Sequence, residues 1–153
     1  KDINIRDYLH EIISSFKEIS KKEFVFNFDQ DSNSKKITKS IELVYGLRNF
    51  IGNANKFAKN TIFINLKSDS EITEITVEDD GDGYPRDIIS KIGEPYLKSN
   101  YSKDKSKEGL GLGLFIGKTL LEKNFASVNC RNSKTRNGAE VVIRWKNKEL
   151  FNI

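Results

Sequence analysis

A long amphipathic helix followed at once by two alternating strands limits the possible folds of this chain most strongly. Thr38 or Ser40 can cap the helix, which is predicted to run to about Asn60. Its predicted apolar side consists of Ile41, Val44, Leu47, Ile51, Ala54 and Ala58. The strand-like runs 61–67 and 71–78 follow, and the polar turn between them predicts a hairpin. A one-sided helix beside a hairpin predicts a helix layer packed on a sheet.

The remaining pattern extends these two layers. Further helices are predicted over 5–20 and 111–123, and further strands over 23–28, 126–131 and 139–145, with a polar loop at 29–36. Helices mixed with mostly hairpin-joined strands predict an α+β fold, a two-layer α/β sandwich whose mixed, mainly antiparallel sheet packs on about three helices. At 153 residues the chain is expected to be one domain, 1–153.

Composition argues against several classes of function. The 26 Lys and Arg residues are scattered among 22 Asp and Glu residues, so the net charge of +4 predicts no nucleic-acid partner. Cys130 is the single cysteine, which excludes an intramolecular disulfide and favours a reducing, cytoplasmic location. No apolar run reaches the roughly 18 residues of a membrane span, so no membrane contact is predicted for these residues.

Three asparagines and a lysine form a polar stripe on the long helix. Asn49, Asn53, Lys56 and Asn60 fall within an arc of roughly 60° at helical spacing. Asparagine is a poor helix former, because its amide competes for backbone hydrogen bonds. Amide oxygens suit Mg²⁺ and an ammonium group suits phosphate oxygens. The stripe is therefore either a solvated face or a metal–phosphate site.

An acidic turn with two glycines follows the second strand of the hairpin. Asp79 stands at the strand end, and Gly81 and Gly83 follow it. Glycines allow the backbone to approach a flat ligand closely. A carboxylate there can accept a hydrogen bond from an exocyclic amine, and this bond discriminates well where water is excluded.

A glycine run opens the third predicted helix. It consists of Gly109, Leu110, Gly111, Leu112 and Gly113. Glycines at a helix start expose N–H groups at the positive end of the helix dipole, which favours anions, although tight packing is the alternative interpretation. The run follows no predicted strand and lacks Gly-Lys-Ser/Thr, which argues against dinucleotide folds and Walker P-loops.

In chain order the three elements resemble the motifs of one enzyme superfamily. They are Asn-x-x-x-Asn-Ala-x-Lys-Phe from Asn49, Asp-x-Gly-x-Gly from Asp79 and Gly-x-Gly-x-Gly-Leu from Gly109. These resemble the N box and the two glycine boxes of GHKL (Bergerat) ATPases, and within them the catalytic ATP-binding domains of histidine kinases. The segment ending at Tyr96 resembles their F box, with Tyr for the usual Phe. Segments 93–96, 113–122 and 138–145 are most similar to RegB/PrrB-type redox-responsive sensor kinases.

The resemblance implies a role for each matching residue. Asn53 would coordinate Mg²⁺, Asn49 would help to order the metal and phosphates, and Lys56 would contact phosphate. Asp79 would accept from the adenine amino group of ATP. The other implied nucleotide-binding residues are Gly81, Gly83, Tyr96, Gly109, Leu110, Gly111, Leu112 and Gly113, with residues 99–108 as a lid.

The implied activity is transfer of the γ-phosphoryl group of ATP to a histidine on a separate dimerisation domain, with a response regulator downstream. Asn49 stands where other members carry a water-activating Glu, which argues against rapid hydrolysis. His10 lacks a following Pro and is not predicted to be the phosphoacceptor. Residues 1–20 would then be a leading helix or linker from that dimerisation domain. The isolated domain is expected to be a monomer and its parent to be anchored in the inner membrane. A serine kinase of the anti-sigma type and a nucleotide-sensing module without transfer remain alternatives.

Overall fold

The computed structural model describes residues 2–29, 35–89 and 110–151. In chain order the elements are β1 (Asp2–Asn4), α1 (Ile5–Lys17), β2 (Glu23–Phe28), β3 (Lys36–Thr38), α2 (Ile41–Phe57), β4 (Thr61–Ser68), β5 (Ile72–Asp79), α3 (Arg86–Ile89), α4 (Leu110–Lys123), β6 (Ser127–Asn132), β7 (Ala139–Lys146) and α5 (Asn147–Leu150). Every helix among these residues is too short or too polar to cross a membrane.

One five-stranded sheet forms the first layer. Its strand order is β2-β4-β5-β7-β6; β2 pairs with β4 in parallel and the other neighbours are antiparallel. The predicted hairpin joins β4 to β5, and Asp69 Oδ1 holds its turn by accepting from the N–H groups of Glu71 and Ile72 at 2.8 and 2.7 Å. The prediction of a mixed, mainly antiparallel sheet is therefore confirmed.

The sheet buries alternate residues against the helices. The buried inward residues of β4, β5 and β7 include Ile62, Ile64, Leu66, Ile75, Val77, Val141, Ile143 and Trp145. They share one core with residues of α1, α2 and α4. This alternation produces the two predicted layers, because side chains along a strand point to opposite faces.

Helix α1 packs into this core. Its residues Ile5, Tyr8, Leu9, Ile12 and Ile13 are all buried there. The short β1 pairs with β3 and ties the start of the helix to the rest of the domain. Within this fold α1 therefore buries its apolar face in the core. The expectation that residues 1–20 are a leading helix or linker from a dimerisation domain stays a prediction.

Helix α2 also differs from its predicted form. It ends at Phe57 rather than near Asn60, and Ser40 is the cap, accepting from the Leu43 N–H at 3.0 Å. Its buried residues are Leu43, Gly46, Leu47, Phe50, Ile51 and Ala54, whereas Ile41 is 69% exposed. The buried side is rotated from the predicted one because α2 packs on α4 as well as on the sheet.

Small residues set the contact between α2 and α4. A methyl group at Gly46 would lie 2.6 Å from Leu121 Cγ, and one at Gly117 would lie 2.9 Å from Phe50 Cε2. The next contact along the pair joins Gly113 to Asn53. The two helices are therefore antiparallel, and the start of α4 lies beside the C-terminal half of α2.

Candidate functional site

A narrow pocket opens between α2 and the adjoining ends of β5 and β7. It is lined by Phe50, Asn53, Ala54, Phe57, Val77, Asp79, Tyr84, Ala139 and Val141. Most of these side chains are apolar, so Asn53 and Asp79 supply isolated polar groups in an apolar wall. The fold thus brings together two residues that the sequence assigned to the metal and to the base.

Asp79 is fixed with its carboxyl group inside this wall. The residue is 3% exposed, and its Oδ1 accepts from the N–H groups of Gly81 at 2.8 Å and Ala139 at 3.3 Å. Burial raises the pKa of this carboxyl above its usual value, although the two N–H donors oppose that shift. Neither hydrogen bond uses Oδ2, so the second carboxyl oxygen remains suited to a ligand amine.

Asn53 carries a buried polar atom that the described residues leave unsatisfied. Its Nδ2 has no hydrogen-bond partner among them. A methyl group added at Gly113 would lie 3.6 Å from Nδ2 and 3.7 Å from Oδ1, so the amide faces the start of α4. Buried polar groups are nearly always paired in native proteins, and an unpaired one indicates a missing ligand or water. An amide oxygen is also a ligand that Mg²⁺ accepts, so the residue fits a metal–phosphate site.

The other two members of the polar stripe lie on either side of Asn53. Asn49 donates its Nδ2 to the Tyr45 carbonyl at 2.8 Å, which lays its amide along the helix surface. Lys56 is exposed near the end of α2, with Nζ 5.2 Å from the centre of the Phe57 ring. This end lies beside the start of α4, so Lys56 is near the predicted anion site. Their roles remain predictions.

Asn60 lies beyond the helix and has a structural partner. Asp80 accepts from the N–H groups of Lys59, Asn60 and Thr61, with Oδ1 at 2.8, 3.0 and 3.2 Å. Partial burial raises the pKa of Asp80, but the three N–H groups outweigh it and the net pKa is lowered. Asp80 therefore ties the segment after α2 to the acidic turn.

The two glycines after Asp79 are explained by close packing. A methyl group at Gly81 would lie 2.2 Å from the Phe57 carbonyl oxygen. Gly83 has φ of +81°, and a methyl group there would lie 2.7 Å from Asn132 Oδ1. Both positions thus require glycine before any ligand is considered. Contact of either glycine with adenine remains a prediction.

The second glycine box is described only in part. Helix α4 begins at Leu110, with Gly111 in its first turn, and Leu112 is 50% exposed. Gly109, Tyr96 and the predicted lid at 99–108 lie outside the described residues. The start of α4 directs the positive end of a helix dipole toward the side of the pocket that holds Asn53.

The residues that fix Tyr84 in the pocket wall were not predicted from the sequence. The Tyr84 N–H donates to Asn132 Oδ1 at 2.7 Å, and Asn132 Nδ2 donates to the Tyr84 carbonyl at 3.2 Å. The Tyr84 hydroxyl also hydrogen-bonds to Cys130, and burial raises the pKa of that thiol to about 12. No local pattern could have predicted these contacts, because they connect a turn to the distant strand β6.

A buried glutamate fastens the turn between β6 and β7. Glu78 accepts from the Ser133 hydroxyl and forms an ion pair with Arg136 at 3.4 Å. The Arg136 guanidinium lies 3.6 Å from the centre of the Phe63 ring. A methyl group at Gly138 in this turn would lie only 1.9 Å from the Asp79 carbonyl oxygen. The turn therefore packs directly against the backbone that carries Asp79.

Comparisons with known proteins identify the family of this chain. Residues 38–149 match the model of the histidine kinase-, DNA gyrase B- and HSP90-like ATPases. Sensor histidine kinase RegB of Cereibacter sphaeroides is 38% identical over 108 residues, which cover 67% of this chain and 23% of that protein. The catalytic domain of histidine kinase ThkA superposes with a TM-score of 0.77 at 18% identity, covering 96% of this chain and 97% of the other. Full-length ShkA, solved in complex with AMPPNP, gives 0.74 at 21% identity, covering 95% and 30%.

The match spans most of the chain, including the described parts of all three motifs. The chain therefore belongs to the histidine kinase-, DNA gyrase B- and HSP90-like ATPase family, and its fold is that of histidine kinase catalytic domains. The expected superfamily and fold class are confirmed, and ATP follows as the ligand expected for an ATPase domain. The chain spans about a quarter of the length of its RegB relatives (23%).

Proposed function

We propose that this domain binds Mg²⁺–ATP in the pocket between α2 and β5 and transfers the γ-phosphoryl group to a histidine on a separate dimerisation domain. The observation that carries the proposal is the meeting of Asp79 with Asn53, whose Nδ2 has no hydrogen-bond partner in the described part of the chain, in one largely apolar pocket. One polar group suits the base and the other suits the metal and phosphates, as a nucleotide requires.

Each polar group has a defined task. The Asp79 carboxylate accepts from the adenine amino group through Oδ2, because Oδ1 is held by Gly81 and Ala139. Asn53 supplies the amide that holds Mg²⁺, with Asn49 one turn earlier and Lys56 for the phosphates. When bound, Mg²⁺ neutralises charge on the phosphates. The protein otherwise contributes positioning, on which phosphoryl transfer depends.

The residue at position 49 supports transfer rather than hydrolysis. A side-chain amide cannot accept a proton from water, so Asn49 cannot serve as a general base. The Asn49 amide is also engaged with the Tyr45 carbonyl. An acceptor with its own nucleophilic nitrogen has no need of such a base.

The partners follow from the kinship to sensor kinases. We propose a dimerisation domain that bears the acceptor histidine, a response regulator downstream, and a cytoplasmic position below a membrane-anchored parent. The 38% identity to sensor histidine kinase RegB supports this assignment to a sensor kinase.

The test combines nucleotide binding with phosphotransfer. Wild type, Asn53→Ala, Asp79→Asn and the control Asp82→Asn are incubated with radiolabelled ATP, Mg²⁺ and the parent's dimerisation domain. Asp82 is a matched control because its exposed carboxylate pairs with Lys59 on the surface at 3.4 Å. Acid-labile label on the acceptor is expected for wild type and Asp82→Asn, with at least a tenfold loss for the other two.

Asp79→Asn should also narrow the preference for ATP over GTP, since guanine presents a carbonyl where adenine presents an amine. Acid-stable label on a partner protein would instead favour a serine kinase. Tight binding of ATP without transfer would favour a nucleotide-sensing module. Unchanged activity of Asn53→Ala would contradict the metal assignment.

A further inference from the structure

Asn132 holds the backbone of a residue that lines the base side of the pocket. Its amide pairs with both the N–H and the carbonyl of Tyr84, at 2.7 and 3.2 Å. This two-point contact resembles one rung of a strand ladder, but a side chain makes it. It links the segment after Asp79 to the end of β6.

The segment that Asn132 holds lies between β5 and α3. Gly83, immediately before Tyr84, has φ of +81°, and glycine has more conformations to lose on ordering than other residues. Residues 82–85 have no regular secondary structure. The same Asn132 Oδ1 lies against Gly83, closely enough that a methyl group there would approach it to 2.7 Å. Asn132 thus fixes both the glycine and the aromatic residue.

The position of Tyr84 affects the nucleotide pocket directly. Its side chain lines the pocket together with Asp79 and Phe57. A shift of the Tyr84 backbone would move the wall opposite the α2 residues and change the space available for a planar base. Asn132 itself does not line the pocket and is exposed, so removing its amide leaves no buried cavity.

We propose that Asn132 is a positioning residue for the base. Its hydrogen bonds to the Tyr84 backbone set the width of the pocket beside Asp79. This width controls the affinity for the adenine part of the nucleotide. This inference rests on the proposed function, because it assumes that the pocket takes the base of ATP. It assigns Asn132 no contact with the nucleotide. The effect should therefore be confined to ligands that carry a base.

The experiment compares Asn132→Ala with Asn129→Ala and Asn132→Asp. Asn129 is an exposed asparagine on the same strand, paired with Val142 and pointing to the face away from the helices. Asn132→Asp keeps an acceptor for the Tyr84 N–H and loses the donor to the carbonyl. Affinities for ATP and for inorganic tripolyphosphate are measured by competitive displacement of a fluorescent ATP analogue, and thermal stability is recorded in parallel.

Asn132→Ala should weaken ATP binding about tenfold while the affinity for tripolyphosphate changes less than about twofold; tenfold corresponds to about 1.4 kcal/mol. Asn129→Ala should match wild type, and Asn132→Asp should recover part of the lost affinity. Wild-type ATP affinity in Asn132→Ala overturns the inference. An equal loss for ATP and tripolyphosphate also overturns it, because that loss reflects the whole site. A wild-type protein that binds no nucleotide overturns the proposed function itself.

Discussion

Replacing Gly113 with alanine should strengthen the fold and weaken nucleotide binding. Gly113 lies within α4, where alanine is favoured over glycine by up to about 1 kcal/mol. The added methyl group would meet the Asn53 amide at 3.6 Å, an ordinary van der Waals distance, so the nucleotide-free fold accommodates it. The expected gain in the free energy of unfolding is about 0.5 to 1 kcal/mol.

The same methyl group would stand beside the amide proposed to hold Mg²⁺ and phosphates. Those oxygens must come as close to the start of α4 as the glycine backbone allows. We expect the affinity for Mg²⁺–ATP to fall at least tenfold, a loss of about 1.4 kcal/mol. Stability and affinity should therefore change in opposite directions.

Gly117→Ala is the matched control on the same helix. Its methyl group would lie 2.9 Å from Phe50 Cε2 and 3.1 Å from Cζ, and the Phe50 ring is only 1% exposed. Overpacking costs about 1 to 3 kcal/mol, which cancels or exceeds the gain in helix propensity. Gly117→Ala should be neutral to destabilising, by up to about 2 kcal/mol.

Urea unfolding and isothermal titration with Mg²⁺–ATP measure the two effects separately. A gain of 0.5 kcal/mol should move the urea midpoint by roughly 0.2 to 0.5 M. If Gly113→Ala binds ATP with wild-type affinity, the phosphates do not lie against this glycine. If it unfolds at lower urea than wild type, the space beside Asn53 is smaller than the structure shows.

Two further predictions concern groups outside the phosphate site. Asp80 has a lowered pKa, so its contribution to stability is fully present above its unfolded pKa and is lost as the pH falls through its folded pKa. Asp80→Asn should cost about 1 kcal/mol at pH 7, allowing for solvent exposure, and progressively less as the pH is lowered through the acidic range, measured by urea unfolding. A cost that does not change with pH would refute the link. Burial raises the pKa of Cys130 to about 12, so little thiolate is present at neutral pH. Alkylation by iodoacetamide should therefore be at least tenfold slower in the folded protein than in urea. Fast labelling of the folded protein would show that the thiol is not held against Tyr84.

The sequence predicted the elements with strong periodic patterns, but not always the residues that end them, since α2 ends at Phe57 rather than near Asn60. The β4–β5 hairpin follows from local signals, because two strand-like runs and the polar turn between them are visible in the chain. The polar stripe with Asn53 and the strand end at Asp79 are visible too, but a common site for them was implied only by the resemblance to the ATPase motifs. The rotation of the buried side of α2 cannot be predicted from the sequence of α2 alone. It depends on α4, whose Gly117 and Leu121 fit against α2 only in the folded protein.

The supports of the pocket were missed for a related reason. In the sequence Asn132 is an ordinary polar residue at a strand end. Its two hydrogen bonds to Tyr84 join residues that are far apart in the sequence. Glu78 reads as an outward strand residue, yet it is buried by Ser133 and Arg136. The supporting role of such side chains can be recognised only in the three-dimensional structure, which shows the backbone that they contact.

The glycines around this site are present for different structural reasons. The free space beside each Cα shows which reason applies. Where a methyl group would strike backbone, as at Gly81 and Gly138, the glycine is required by packing around Asp79. At Gly113 the methyl group would have room, so packing among the described residues does not account for the glycine. Gly113 thus has no steric reason among the described residues, and it faces an Asn53 Nδ2 that has no hydrogen-bond partner among them. Both features fit a ligand group that binds between α2 and the start of α4.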